Sequence, residues 1–459
     1  MRITVQAAAL AAARVVHWSQ EQRRGGTRRV RGIGAHRRSR NQVKDIYRQL
    51  GPTNFRKAYR MKYHSFKRLA QKLRDGIIKF SLIKKRRIRF HRNIMREKNY
   101  RHVPNGPITP SVCLACALRY FAGGSPYDIM TSYCIGYPDM MYSVWYVVDA
   151  VNAHSEFRIS YPADHEQQRA IAASFRRKSA ANFECCAGAI DGILVWIHKP
   201  SAEECAKAGC SETKFFCGRK HKFGLNCQAV CDSRGKFLEV SIVYPGSTSD
   251  CLAFEGMSLF SRLESGLLAP GLCLFGDNAY LNSIYMATPY SAVSGGSKDA
   301  YNFYHSQLHI ECAFGMFTHR WAILRSAIPM RVSLKKTIGL VIALAKLHNF
   351  CIDENEAHAP PSRALDELRT EMQGGIPLEA PTMLEAATTS TGTQALFPRQ
   401  LINGGRHFDD IDLQSRRRRI YQYQSQADAL HQQLPRDFLH NLVAEANLTR
   451  PALASARRS

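Results

Sequence analysis

The sequence predicts an α/β fold: a mixed sheet flanked by helices and preceded by an all-helical region. Three observations carry that expectation. Residues 184–280 read as short apolar runs of strand type, broken by turn residues and by one helical stretch. Residues 41–160 instead space their apolar side chains at helical intervals. Three acids, Asp191, Asp277 and Glu311, each stand in an apolar setting within or just after the strand-rich part.

At 459 residues the chain has room for two or three domains. Its formal charge of +27 is concentrated at one end: residues 1–101 hold 30 Lys and Arg against 4 Asp and Glu, or +26, which leaves +1 for the rest. Such a segment is drawn to phosphate backbones through counterion release, so DNA is the expected partner, although ribosomal or membrane-surface binding produces the same bias. The run KKRRIRFHR, with Lys84, Lys85, Arg86 and Arg87, reads as a nuclear-import or DNA-contacting patch or as solvated surface. A nuclear location follows from the first of these. The opening twenty residues contain Arg and no acid, as in a mitochondrial presequence or an upstream stretch added by gene-model error, and residues 1–40 are expected to be a disordered basic terminus. No run of eighteen apolar residues occurs, so no membrane span is predicted. The fourteen cysteines lack a second CxxC to match Cys113 and Cys116, and most sit in apolar stretches, as buried reduced thiols do.

The first helical segment places Phe55, Tyr59, Phe66, Leu69 and Leu73 on one face, with basic residues between them. A second helix starts at Pro110 and stops at Gly123-Gly124, and a third opens at Pro126. A further one follows YPD and gathers Val144, Val147, Val148 and Val151. Residues 41–160 therefore read either as a helix-turn-helix-like DNA-binding region or as a helical subdomain that packs on the next domain.

From residue 184 the period changes. CCAGAIDGILVWI, HKFGLNCQAVCD and GKFLEVSIVYPG are three apolar strands, SDCLAFEGMSLFSRLE is helical, and LCLFGDNAY is a fourth strand that ends on an acid. Three strands, a helix and a fourth strand is the order of a ribonuclease-H-like sheet, here spanning residues 183–352. In that order the strands carrying Asp191 and Asp277 are neighbours. Glu311 comes next, with 33 residues between it and Asp277, in a helix read as HSQLHIECAFGMFTHRWAIL whose Leu308, Cys312, Phe314 and Gly315 face the sheet.

Burying one carboxylate costs several kcal/mol unless it is compensated, and a shared divalent cation compensates several at once. Taken singly, each acid reads equally well as a helix cap or turn residue. Taken together they suit a two-metal site for phosphoryl transfer, in which ions about 3.5 to 4 Å apart support an in-line displacement at phosphorus.

GAIDG, the stretch from GRKHKFGLNCQAVCD to VYPGSTSDCLAF, GDNAY, IECAFGMFTHRW and LHNFC together resemble the PIF/Harbinger transposase superfamily, which includes a domesticated Harbinger-derived nuclease. The resemblance implies a DDE nuclease that uses Mg²⁺ or Mn²⁺, with Asp191, Asp277 and Glu311 as both catalytic residues and metal ligands. It also implies a Myb-like helper protein and a homo-oligomer. Asp250 in GSTSD matches a family acid and is expected to cap a helix or stand behind the ligands. Where the family has a polar pair after IDG this chain has Ile193 and Leu194, and His309 stands where an arginine is frequent. A domesticated DNA-binding protein that no longer cuts is the alternative. Asp232 in CDSRG reads as a turn residue. Arg219, Lys220, His221 and Lys222 either hold DNA phosphate or form a solvated loop. Trp321 reads as core, and His348 as a hydrogen-bonded structural histidine. The tail, residues 355–459, is expected to be mostly disordered, with one or two helices near its end and no chemistry.

Overall fold

The computed structural model describes residues 40–83, 108–308, 311–328, 332–354 and 434–451. Expectations for residues 1–39, for Lys84–Arg87 and for the 355–433 stretch lie outside these residues, as does His309.

The first basic amphipathic segment is two helices rather than one: α1 Val43–Tyr59 and α2 Tyr63–Ile83. Arg60 breaks them with a left-handed backbone at φ 62°, and Gly51 at φ 69° kinks α1 just before Pro52. All five predicted apolar positions are buried, and Phe55 stacks on Tyr59 with centroids 4.2 Å apart. The next helix, α3, runs Pro110–Phe121 behind a Thr109 cap, whose hydroxyl accepts from the Val112 N–H. It ends at Gly123, φ 90°. Helix α4 is Pro126–Tyr133 and α5 is Tyr137–Ala153, so YPD forms the first turn of α5 instead of preceding it. Its four valines are buried. Helix α6, His165–Arg176, lies in a stretch for which no element was expected.

The sheet comprises β1 Cys186–Trp196, β2 Phe216–Cys217, β3 Lys222–Cys231, β4 Phe237–Pro245, β5 Cys273–Phe275 and β6 Met286–Ala287. Strands β4, β3, β1, β5 and β6 lie side by side, and β2 also pairs with β3. Strand β3 is antiparallel to β1 and β4, whereas β5 is parallel to β1 and β6 to β5, which makes the sheet mixed. Helices cover both faces. Ile190, Val230 and Leu274 of β1, β3 and β5 share one apolar cluster with Phe254, Met257, Leu259 and Leu263 of the crossover. Ala189, Ala229 and Phe275, one position off, belong to the larger cluster on the other face.

Helix α7 spans Ala202–Ala208. The single helix expected after GSTS is two, α8 Asp250–Glu255 and α9 Ser258–Glu264. At Gly256 between them any side chain would collide with the Tyr244 ring and hydroxyl. The helix expected from His305 is likewise divided. Helix α10, Gly296–Ser306, ends there; α11, Glu311–Arg320, begins after a gap, and a 3-10 turn at Ala322–Arg325 comes after it. Of its predicted sheet-facing residues, Leu308 and Phe314 are buried, Gly315 borders open space, and the Cys312 side chain is outside the described residues.

Helix α12, Leu334–Asp353, ties the two regions together. Its Phe350 meets Phe157 edge-on at 5.8 Å, and its Leu344 carbonyl accepts from the Trp321 Nε1–H at 3.0 Å, while Trp321 meets Phe121 of α3 at 6.2 Å. Trp321 is core, as expected, and the helical region shares that core with the sheet. Near the end of the chain, α13 (Pro435–Glu445) packs on α10 and β6, burying Leu439 and Val443. No helix of the described residues is long and apolar enough to cross a membrane.

Candidate active site

Asp191 sits midway along β1, opposite Ala229 of β3, and its Oδ1 accepts from the Gly192 N–H at 2.6 Å. Asp277 stands two residues past β5, where its Oδ1 accepts from the Ala279 N–H at 2.9 Å and closes a turn. Strands β1 and β5 are paired, so both acids sit at one junction of the sheet. Residue Glu311 opens α11, and its side chain lies outside the described residues.

Of the two roles expected for Asp250, the helix cap is taken by its neighbour. Ser249 is the cap of α8, its hydroxyl accepting from the Leu252 N–H, which leaves the Asp250 carboxylate available to turn toward the sheet. There its Oδ1 accepts from Asn226 Nδ2 at 3.0 Å and Gln228 Nε2 at 2.8 Å. Gln228 Nε2 also donates to Asn226 Oδ1 at 2.8 Å, and Asn226 Nδ2 to the Thr248 carbonyl at 3.0 Å. The buried Tyr280 hydroxyl donates to Gln228 Oε1 at 2.6 Å, so every polar atom of that amide has a partner. Gly192, paired with Gln228 across the strands, leaves the room; a Cβ there would strike Asp250 Oδ1 and Gln228 Nε2.

Tyr280, bound to Gln228, feels the charge of three aspartates. Burial first, and then the negative charges of Asp191, Asp250 and Asp277, push the Tyr280 hydroxyl well above its usual pKa. Burial also raises the Asp277 carboxyl, and the charge of Asp250 adds to that, against the Ala279 N–H and the Arg219 guanidinium. Among the described residues no group of three His, Cys, Asp or Glu side chains stands ready to hold a metal ion. The chemistry of the donors nevertheless fits a hard divalent cation. They are carboxylate oxygens, and an Asp277 pushed toward its neutral form by burial and then by the like charge of Asp250 is what such a cation would relieve.

Arg219 and Lys220 occupy an exposed 3-10 turn before β3, and His221 comes next with a left-handed backbone at φ 51°. Arg219 acts electrostatically on Asp277, whereas the Lys222 ammonium lies 3.1 Å over the Trp196 ring, five residues beyond Asp191. Asp232 is the turn residue expected: its Oδ1 accepts from the N–H groups of Arg234 and Lys236 at 2.8 and 2.9 Å. His348 is buried, its Nε2 3.0 Å from the Gly235 carbonyl, with its pKa brought down to about 3 by burial and then by Arg320. It is a structural histidine. Cys113 and Cys116 are both buried in α3, and burial raises both thiols.

Sequence reasoning passed over Asn226, Gln228 and Tyr280. A signal existed: Asn226 and Gln228 are amides two positions apart in an otherwise apolar strand, so they share a face that needs partners.

Residues 190–349 match the family described as DDE superfamily endonuclease. The chain is 28% identical over 250 residues to the protein named "Putative nuclease HARBI1" in Bos taurus and in Homo sapiens, covering 54% of this chain and 68% of each relative. It is 22% identical over 273 residues to "Protein ALP1-like" of Arabidopsis thaliana, covering 56% of this chain and 64% of that protein. No solved structure matches.

Proposed function

We propose, for a chain whose residues 190–349 match the DDE superfamily endonuclease family, that it is a metal-dependent DNA endonuclease or transposase of the Harbinger type. The carrying observation is the pairing of β1 with β5, which brings Asp191 and Asp277 to one junction of the sheet, with Asp250 Oδ1 held by Asn226 and Gln228 of β3 and lying against Gly192, the residue after Asp191. The strand order β4-β3-β1-β5-β6, with its change from antiparallel to parallel at β1, supports a ribonuclease-H-like reading of the sheet.

In this reading Asp191, Asp277 and Glu311 hold Mg²⁺ or Mn²⁺, and Asp250 stands beside them with its orientation set by Asn226 and Gln228. Such ions, when bound, supply an activated water and stabilise the leaving oxygen. The chain's own part is to orient carboxylates on paired strands and to bring Arg219 toward the negative charge of a scissile phosphate. Strand transfer by a DNA 3'-hydroxyl uses the same geometry. A nuclear location, resting on the basic run KKRRIRFHR, and a homo-oligomer and a Myb-like helper protein, resting on the family resemblance, complete the proposal.

The test is cleavage of duplex DNA in Mg²⁺ or Mn²⁺. Asp277→Ala is expected to reduce it to background, and cleavage persisting at the wild-type level would sink the assignment. One observation favours a second reading, a domesticated DNA-binding protein. Leu194, where the family carries a polar residue, is wedged tightly against Gly224 and Gly246 and serves packing instead. A wild-type chain that binds duplex with a steep salt dependence, yet shows no metal-linked cleavage, would establish that alternative.

A further inference from the structure

Arg60, Arg119 and Arg325 come from three separate elements: the left-handed break between α1 and α2, the last turn of α3, and the 3-10 turn after α11. They gather where the helical region meets the sheet region, at the Gly123 turn, where Ala322 approaches closely. Their partners are main-chain carbonyls and one imidazole. Arg60 Nη2 donates to the Ala122 carbonyl and Arg119 Nη1 to the Ala58 carbonyl, both at 3.3 Å. Arg325 Nε donates to the Thr318 carbonyl at 3.3 Å, and its Nη2 lies 2.6 Å from His319 Nδ1. Among the described residues none of the three arginines meets a carboxylate, and Arg60 Nε is buried with no hydrogen-bond partner. Arg320 extends Nη1 to the Arg60 carbonyl at 3.5 Å and brings its own charge to the group.

The carbonyls at the ends of α1 and α3 account for part of this clustering. Each helix C-terminus carries roughly half a negative charge, so two supply about one. Three guanidiniums leave an excess of about two positive charges, even with Arg320 set aside. The local field agrees: burial and then the charges of Arg325, Arg119 and Arg320 hold the Arg60 pKa below its usual value, and burial with Arg325, Arg60 and Arg320 does the same to His319.

The position relative to the carboxylates matters as much as the charge. Ile328, three residues past Arg325, donates its N–H to the Trp196 carbonyl at 3.1 Å, which anchors this turn to the far end of β1. From Asp191 to Trp196 is five residues, or about 17 Å along an extended strand. Lys222 covers the Trp196 ring at that end, and Arg219 stands in the turn just before Lys222. One nucleic-acid strand spaces its phosphates about 3.4 Å apart, so roughly five of them span the interval.

We infer that Arg60, Arg119 and Arg325 form a phosphate-contact site that holds the DNA backbone flanking the reacting bond, on the seam between the helical and sheet regions. The assignment rests on the DNA-cleaving function proposed above. It is separate from the basic run at Lys84–Arg87, which is sequence-local; this site exists only in the folded chain.

The experiment is fluorescence anisotropy of the full chain with a labelled random-sequence duplex in EDTA, across a salt series. Arg325→Gln and Arg60→Gln are each expected to weaken binding and to reduce the slope of log affinity against log salt by about one, while Arg325→Lys keeps the wild-type slope. Circular dichroism melts establish that the variants are folded. Folded Arg325→Gln and Arg60→Gln proteins that both retain the wild-type affinity and slope would overturn the site and leave the function reading intact. A wild-type chain with no salt-dependent duplex affinity would overturn the function reading and this site with it.

Discussion

Gly192 shows how closely the residues around the carboxylates are fitted. Its missing side chain is what allows Asp250 Oδ1 and Gln228 Nε2 to lie against β1, so IDG encodes a space as well as an acid. Gly192→Ala is expected to force Asp250 or the strand aside, at a cost of about 1–3 kcal/mol of stability. A thermal melt reads that loss. The same variant should bind Mn²⁺ more weakly in calorimetric titration, because the carboxylate next to the ligands has moved. Wild-type stability and wild-type Mn²⁺ affinity together would show that Asp250 has no fixed place. Asp250 itself illustrates a limit of sequence reading, since an acid at a helix start looks like a cap until the preceding Ser249 is seen to take that role.

Among the elements, α12 is held to the β3–β4 turn by two adjacent side chains. His348 meets the Gly235 carbonyl, while Asn349 Oδ1 accepts from the Phe237 N–H at 2.8 Å and its Nδ2 donates to the Phe237 carbonyl at 2.7 Å. His348 is brought down to about pH 3 from an ordinary value near 6.5, so below 6.5 the unfolded chain takes up a proton that the folded chain refuses. Its contribution to stability is complete above pH 6.5 and falls away as the pH drops toward 3, by at most about 1.4 kcal/mol per pH unit. His348→Gln should flatten this acid limb in melts recorded between pH 4 and 7. An unchanged acid limb would show that other groups control it.

The legible elements were those whose period stays intact: α3, α5, β1, β3 and β4 lie where their apolar residues put them. Elements defined by an interruption were not legible. The α8–α9 break and the two-residue strand β6 depend on tertiary neighbours, as when the Tyr244 ring occupies the space beside Gly256. Asp191 and Asp277 were readable because an acid in an apolar run is conspicuous. Asn226 and Gln228 were not, because their partner Asp250 lies more than twenty positions away and across a turn.

At the scale of the molecule, one apolar core runs from the first helices through α12 to the sheet, and α13 joins it by packing on α10 and β6. Tyr290 donates to Asp437 Oδ1 at 2.8 Å, Tyr304 to the Thr449 carbonyl at 3.1 Å, and Arg450 pairs with Asp299 at 3.1 Å. The tail was expected to carry no chemistry, but it carries packing. A chain ending at residue 433 is expected to melt several degrees lower and to be cut faster by protease near α10, since Leu439 and Val443 no longer cover it. Equal melting temperatures and equal proteolysis would show the docked helix to be dispensable.

That docking also sets a timetable for the chain as it is made. Ser306, the end of α10, and Pro435, the start of α13, are 129 positions apart. At about 5–20 residues per second the ribosome takes roughly 6 to 26 seconds to cover that distance. For all of that time the surface that receives Leu439 and Val443 is bare and open to a chaperone or to another nascent chain. The length of chain between α10 and α13 thus sets the earliest moment at which α13 can cover that surface.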